Sequence, residues 1–186
     1  MSTNDFELAF SVEEIVGWRV WRVARPIERR VTAEALAREL LAAERDGRAG
    51  ALDELFLPRL RSLTEQTFWP PGRFSAVCRV DPASGHEAPG IRCSCGIWAF
   101  RDRAPAEATA AAYRHSGGAV AYGRVALWGR VVEHERGWRG QRARPLELLL
   151  CGADDEVARE LVEAYGLPVT LAPWPQAEPE PLVERR

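Results

Sequence analysis

Several residue types and patterns are missing from this sequence, and each absence narrows the class of protein. The chain has no lysine, so all 25 basic residues are arginine, and Met1 is the only methionine. This usage is typical of a GC-rich genome and carries no functional conclusion. No apolar run approaches the roughly 18 residues of a membrane-spanning helix. The first ten residues also lack the basic patch and apolar core of a secretory signal. We therefore expect a cytoplasmic protein without a membrane partner.

Sequence signatures of catalysis are also missing. We find no G-x-S-x-G elbow, no HExxH motif, no phosphate-binding loop and no dinucleotide fingerprint. Four cysteines in 186 residues are too few for a disulfide scaffold. The net charge of −2 argues against general affinity for nucleic acid. The sequence therefore assigns no catalytic residue and does not favour an enzyme.

The clearest functional pattern is a cluster of cysteine and histidine. Cys78, His86, Cys93 and Cys95 place three of the four cysteines and one of the three histidines close together in the chain. In a reducing cytosol, clustered cysteines are more often ligands or redox groups than bridges. Zinc accepts three thiolates and one imidazole in a tetrahedron, and Gly96 allows the chain to turn sharply after the last cysteine. We predict a structural zinc site, because four protein ligands leave no open position for water.

Other interpretations of the cluster stay open at this point. Cys93 and Cys95 could form a dithiol redox pair, which would need an exposed thiolate of low pKa. An iron–sulfur cluster is chemically possible, although the spacing differs from the known patterns. Without a metal, Cys78 and Cys95 would be small buried hydrophobes and His86 a loop residue. A water in place of His86, with Glu87 as base, would make the site catalytic.

Tryptophans near the ends of predicted strands suggest a binding surface beside the cluster. Aromatic faces can hold a cation or stack a nucleobase, although they more commonly serve as packing in a sheet protein. The candidate ligand-binding residues are Trp69, Trp98, Trp128, Trp138 and Arg139. We therefore predict a zinc-stabilised binding or adaptor module for an unknown protein or small molecule.

Two other functional classes remain as alternatives. A hydrolase could use Glu133 and Glu135, which alternation places on one face of a strand, with His134 on the other face. Nucleic-acid binding is possible but not favoured, because acidic residues neutralise the arginine-rich stretches. Those arginines are Arg19, Arg22, Arg25, Arg29, Arg30, Arg136, Arg139, Arg142 and Arg144.

Periodicity and turn residues predict more strands than helices. Strands are predicted over 14–23, 73–80, 97–100, 119–135, 146–151 and 167–173, and helices over 31–45, 52–63, 104–115 and 154–165. The first dozen residues show no period, and residues 136–145 indicate a polar turn.

Because helices do not alternate regularly with strands, we expect an α+β fold. Its sheet should be mostly antiparallel, with closure into a barrel-like form left open, and three to four helices should flank it. A zinc-stapled hairpin is predicted over 73–101. One globular domain should span 1–172, followed by a tail rich in proline and glutamate over 173–186.

The chain also resembles a set of uncharacterised bacterial proteins. The resemblance rests on the order of the motifs TFWPPG, HEAPG, CSCGIWA and LWGRVVEHERGWR, and it covers Trp69 to Pro145. It implies a common fold and a common site, and it implies no activity.

Overall fold

The computed structural model describes residues 8–25, 34, 37–38, 41, 57–64 and 67–176. Within these residues it contains eight strands, two α-helices whose residues are all described, helical residues at 34, 37–38 and 41, and one short 3₁₀ helix, Pro82–Ser84. In chain order the elements are β1 (Leu8–Ala24), β2 (Arg59–Ser62), β3 (Phe74–Ser75), β4 (Ile97–Phe100), α1 (Arg103–Ala112), β5 (Val120–His134), β6 (Gly137–Pro145), β7 (Leu148–Cys151), α2 (Asp155–Tyr165) and β8 (Val169–Leu171).

All eight strands belong to one sheet, and β5 lies at its centre. The order is β2-β1-β4-β6-β5-β7-β8, with β3 paired to β6, and β1 also pairs with β5. The pairings β1–β4, β4–β6, β6–β5 and β5–β1 therefore close a ring of four strands. Only β7 and β8 pair in parallel, and α2 connects them. The predicted α+β fold with a mostly antiparallel sheet is confirmed, with two α-helices in the described part of the chain rather than three to four.

Each face of the sheet is covered by one helix, because side chains alternate along β1 and β5. On one face α2 packs Leu161 and Tyr165 into the larger buried cluster, which includes Trp21 and Leu127. On the other face α1 packs two alanines against the smaller cluster. Its members are Val20, Ala106, Ala110, Val120, Tyr122 and Cys151.

The predicted hairpin over 73–101 is wrong in its strand pairing. β3 and β4 do not pair with each other; both pair antiparallel with β6, at Phe74↔Ala143 and at Ile97↔Gly140. They therefore lie end to end along one edge of β6, as a single strand interrupted by residues 77–96. We call residues 77–96 the cysteine loop, because Cys78, Cys93 and Cys95 all lie in it.

Two further predictions of local structure are wrong. The stretch 136–145 is mostly β6 rather than a polar turn, because it pairs on both sides, with β4 and with β5. Arg59–Ser62 is a strand rather than part of a helix, because it pairs with the end of β1 from Trp21 to Ala24. In both cases tertiary pairing overrides the local composition.

Other predictions agree with the structure. The helices over 104–115 and 154–165 are present as α1 and α2, and Asp154 Oδ1 accepts a hydrogen bond from the Val157 N–H at 3.0 Å as the N-cap. β1 starts at Leu8, earlier than predicted, in the stretch that showed no period. Of the helix predicted over 31–45, the described residues are helical and the others lie outside the described residues. Most of the predicted tail also lies outside them.

Candidate metal centre

The four predicted ligands come together in the structure. One ligand atom from each of Cys78, His86, Cys93 and Cys95 lies within 4.8 Å of the others. The Cys78 Sγ and Cys93 Sγ atoms are 3.8 Å apart, and His86 Nε2 lies 3.2 Å from Cys95 Sγ. A tetrahedral zinc with Zn–S bonds of about 2.3 Å requires sulfur atoms about 3.8 Å apart. The cluster therefore has the size of a tetrahedral site, and the prediction that these residues could hold a metal ion is confirmed.

The edge of β6 brings the two ends of the cysteine loop together. The Ala76 N–H donates to the Gln141 carbonyl oxygen at 2.8 Å, and Ile97 pairs with Gly140 on the adjacent position of β6. Cys78 follows the first anchor by two residues, and Cys95 precedes the second by two. The loop therefore starts and ends at neighbouring points of the sheet, so its first and last ligands are already close before the middle of the loop is placed.

Backbone groups of the loop direct N–H donors at the sulfur atoms. The Asp81 N–H points at Cys78 Sγ at 3.4 Å, and the Gly90 N–H at Cys95 Sγ at 3.3 Å. Such donors stabilise thiolates and orient ligands around an ion. Gly96 has a φ of 116°, a backbone conformation that favours glycine, and this turn returns the chain to β4.

The environment of Cys95 argues against this residue as the reactive thiol of a redox pair. Cys95 is buried, and burial raises the pKa of its free thiol to about 11. The hydrogen bond from the Asp81 backbone lowers the pKa of Cys78 below its ordinary value. A reactive CxC pair would need an exposed thiolate of low pKa at Cys93 or Cys95. Cys95 has the opposite properties, which suit a ligand whose proton a metal ion displaces.

The side chain of Arg139 on β6 connects the cysteine loop to the sheet. Its side chain is 2% exposed, and its Nη1 donates to the carbonyl oxygens of Cys95 at 2.8 Å, of Gly90 at 3.3 Å and of Cys93. Its Nε donates to His134 Nε2 at 2.6 Å. Arg139 is therefore a buried side chain whose donors are directed at the backbone around the candidate metal ligands, and its contact with a bound ligand stays a prediction. Arg139 lies in a polar stretch of the sequence, and nothing in that stretch indicates that its side chain is buried beneath the cysteine loop.

Trp98 is the aromatic side chain that stands exposed beside the cluster. It is 48% exposed, and its indole N–H donates to the Ser94 carbonyl oxygen at 3.0 Å. Its ring stacks on His134 at 5.0 Å between centroids, and the Arg139 guanidinium lies 5.2 Å from the ring centroid. We call Trp98, His134 and Arg139 the Trp98 platform. Trp98 on β4 lies opposite Arg139 on β6, so the platform adjoins the end of the cysteine loop.

The other predicted tryptophans do not join Trp98. Trp69 is buried in the core, stacked on Phe74 at 4.7 Å between ring centroids, so it cannot offer a face to a surface ligand. Trp138 directly precedes Arg139 on β6 and therefore lies on the opposite face of the sheet, where the Arg101 guanidinium is 4.6 Å from its ring centroid. Trp128 is half-buried and pairs with Arg142 along β6.

The residues of the alternative functions are placed as follows. Glu133 forms an exposed ion pair with Arg101 at 2.5 Å, and Glu135 is exposed in the turn after β5. Several candidate arginines are engaged with partners: Arg25 pairs with Glu160, Arg144 with Glu14, and Arg22 stacks over Tyr113. Arg29 and Arg30 lie outside the described residues. Nucleic-acid binding remains an untested prediction.

A cleft of about 830 Å³ lies beside the cysteine loop and the Trp98 platform. Val77, Val80, Cys95 and Trp98 are among its lining residues. Sequence reasoning missed this cleft, because its walls come from separated parts of the chain.

No protein-family model, curated protein or solved structure matches this chain. In the part of the chain that the structure describes, no helix is both long and apolar enough to cross a membrane. The functional argument therefore rests on the geometry of the site.

Proposed function

We propose that the protein is a binding module whose cysteine loop is held by one structural zinc ion, with Cys78, His86, Cys93 and Cys95 as the four ligands. The observation that carries this proposal is the cluster itself, in which all four ligand atoms lie within 4.8 Å of one another. Three thiolates and one imidazole favour zinc over magnesium or calcium.

Three features support a structural rather than a catalytic role for the ion. The four protein ligands complete a tetrahedron and leave no position for a reacting water. Arg139 donates to the backbone carbonyl oxygen of Cys95, and the Gly90 N–H donates to the Cys95 Sγ atom. The candidate base Glu87 is exposed, and Arg130 binds it through both its carboxylate, at 3.4 Å, and its backbone oxygen, at 3.2 Å.

Binding is assigned to the surface beside the ion. Trp98 is half exposed next to the last ligand, and exposed valines of the cysteine loop stand beside the same cleft. Exposed aromatic and aliphatic groups around a concave surface are typical of ligand sites. In this proposal the ion fixes the loop, and the loop and β4 together shape the site.

The first test measures metal content and stability together. Native mass spectrometry of the purified chain should give one zinc per chain, and X-ray absorption should give three sulfur neighbours and one nitrogen neighbour. Chelation should lower the free energy of unfolding, and a loss of about 3 kcal/mol would lower the melting temperature by about 6–12 °C.

Cys151 provides a matched control, because it is a buried cysteine outside the cluster. Cys93→Ser should lose the zinc, and Cys151→Ala should retain it. Iron with inorganic sulfide would replace the zinc proposal by an iron–sulfur cluster. A metal-free chain with the same stability after chelation would overturn the proposal.

A further inference from the structure

The cleft beside the cysteine loop opens where the sheet forks. β5 occupies one edge of β1, so β2 and β4 share the other edge. β2 pairs there from Trp21 onwards, whereas β4 pairs only at Trp18. The two strands therefore separate beside Arg19 and Val20, and both residues line the cleft.

Among the described residues, the lining of the cleft combines apolar side chains with positive charge. The chain has 27 acidic residues and a net charge of −2, yet no aspartate or glutamate is among the described residues that line the cleft. Three arginines line it: Arg19, Arg79 and Arg136. Its apolar wall includes Phe74, Val77, Val80, Ile97, Trp98 and Phe100.

Arg19 lies at the fork and has no carboxylate partner among the described residues. Its guanidinium donates from Nη1 to the Trp98 carbonyl oxygen and from Nη2 to Ser62 Oγ at 3.4 Å, and it lies 4.9 Å from the Trp69 ring centroid. Its Nε is buried without a hydrogen-bond partner, and no ion pair connects it to a carboxylate of the described residues. A cation withdrawn from water without a counterion is costly, so an anion bound here would be stabilised.

We propose that this cleft binds a small organic acid, which consists of an apolar ring system that carries one anionic group. Arg19 attracts the anionic group, and Arg79 and Arg136 extend the positive potential to the mouth of the cleft. Trp98, Val77 and Val80 pack against the apolar body. The volume of about 830 Å³ is within the range of small-molecule sites. This proposal rests on the binding function proposed above and names the class of its ligand.

A pair of dyes that differ in charge tests the proposal on the zinc-loaded full chain. 1-Anilinonaphthalene-8-sulfonate is an aromatic anion, and N-phenyl-1-naphthylamine has the same ring system without the charge. Fluorescence titration should give one anionic dye per chain, bound at least about tenfold more tightly than the neutral dye. Equal affinities for the two dyes would overturn the proposal.

Two substitutions locate the binding in the cleft. Val80→Glu places a carboxylate on a side chain that is 59% exposed in the cleft wall and should weaken the anionic dye about fivefold or more. Val162→Glu is the matched control, because Val162 is 44% exposed on α2 and does not line the cleft. Equal affinities in these two variants would contradict the assignment of the site.

Arg19→Gln tests the anion contact itself. Glutamine keeps an N–H donor and removes the charge, so the anionic dye should lose about tenfold in affinity while the neutral dye is unchanged. Unfolding curves identify a folding defect in this variant, and the Val80→Glu pair still decides the outcome if Arg19→Gln does not fold.

The two proposals fail in different ways. A zinc-loaded chain that binds both dyes equally overturns the anion site and leaves the zinc proposal intact. A chain that purifies without zinc and still prefers the anionic dye overturns the zinc proposal and leaves the anion site intact.

Discussion

At the scale of single residues, the buried charge of Arg139 lies beside the candidate metal site, although Arg139 is not one of the four ligand residues. Three thiolates and one imidazole around a zinc ion carry a net charge of −1, and the guanidinium supplies the opposite charge nearby. Its N–H donors reach the carbonyl oxygens of Gly90, Cys93 and Cys95. Burial lowers the pKa of Arg139, and the charges of Cys95 and Cys93 oppose that effect. The cation and the thiolate cluster therefore stabilise each other.

Gly90 gives a prediction about the shape of the metal site. A Cβ atom at this position would lie 2.7 Å from the His86 ring and 3.2 Å from Cys93 Cβ. Gly90→Ala should therefore displace His86 and weaken zinc binding about tenfold or more, although no ligand is removed. Competition titration with a chromophoric zinc chelator measures the change.

Ser94→Ala is the control for Gly90→Ala. Ser94 is exposed between two ligands, and the hydrogen bond from Trp98 uses its backbone oxygen, which alanine keeps. This variant should bind zinc as the natural chain does. If both variants bind zinc equally well, the contact between Gly90 and His86 does not position the ligand.

At the scale of elements, the cysteine loop interrupts the strand that pairs with one edge of β6. β3 and β4 continue the same antiparallel ladder on the two sides of residues 77–96. A loop closed by a sheet at both ends loses less entropy when a metal fixes its middle, because its ends are already held. The four ligands therefore need no CxxC knuckles of the common zinc-ribbon kind.

The phenol hydroxyl group of Tyr165 links α2 to the backbone of two other segments. Tyr165 Oη donates to the Trp69 carbonyl oxygen at 2.8 Å and accepts from the Leu60 N–H at 2.9 Å. Tyr165→Phe leaves both backbone groups buried without a partner, so the free energy of unfolding should fall by about 1–3 kcal/mol. Urea unfolding at neutral pH measures this loss.

The difference in unfolding free energy between the natural chain and Tyr165→Phe should also depend on pH, which supplies a second measurement. Burial raises the pKa of Tyr165 above its ordinary value of 10.0, so the stability that it contributes is present below that pH and is lost as the pH rises further. The difference between the natural chain and the variant should therefore narrow above pH 10. Tyr113→Phe is the control, because Tyr113 is half-buried and packs against Arg22. An equal loss in both variants would contradict the role of Tyr165.

At the scale of the whole molecule, we expect the cysteine loop and the core to differ in how far their stability depends on the proposed zinc ion. β5 is paired with β1, β6 and β7, and its buried side chains include Val125 and Leu127. The cysteine loop has a single 3₁₀ turn as regular structure. Chelation should therefore loosen the loop and β4 first, while the β1–β5 ladder stays closed.

Hydrogen exchange with and without a chelator measures this separation. Amides of residues 77–100 should lose protection by about tenfold or more, and amides of β5 from Val120 to Leu127 should change little. Uniform loss of protection across the sheet would show instead that zinc is required for the fold as a whole.

The sequence alone predicted the α+β class, helices α1 and α2, strands β4, β7 and β8, most of β1 and β5, and the four residues of the candidate metal site. Periodicity, caps and ligand chemistry are local properties, so a single stretch of chain contains them. The sharp turn at Gly96 and the N-cap at Asp154 are of this kind.

Only the tertiary structure decided which strands pair and where charges become buried. β6 appeared polar because three of its nine residues are arginine, whereas its backbone pairs on both sides. Arg139 is buried against the cysteine loop, Trp69 is a core residue, and Arg19 lies at the fork without an ion pair to any carboxylate of the described residues. Pairing and burial depend on residues far apart in the chain, so no local pattern of the sequence specifies them.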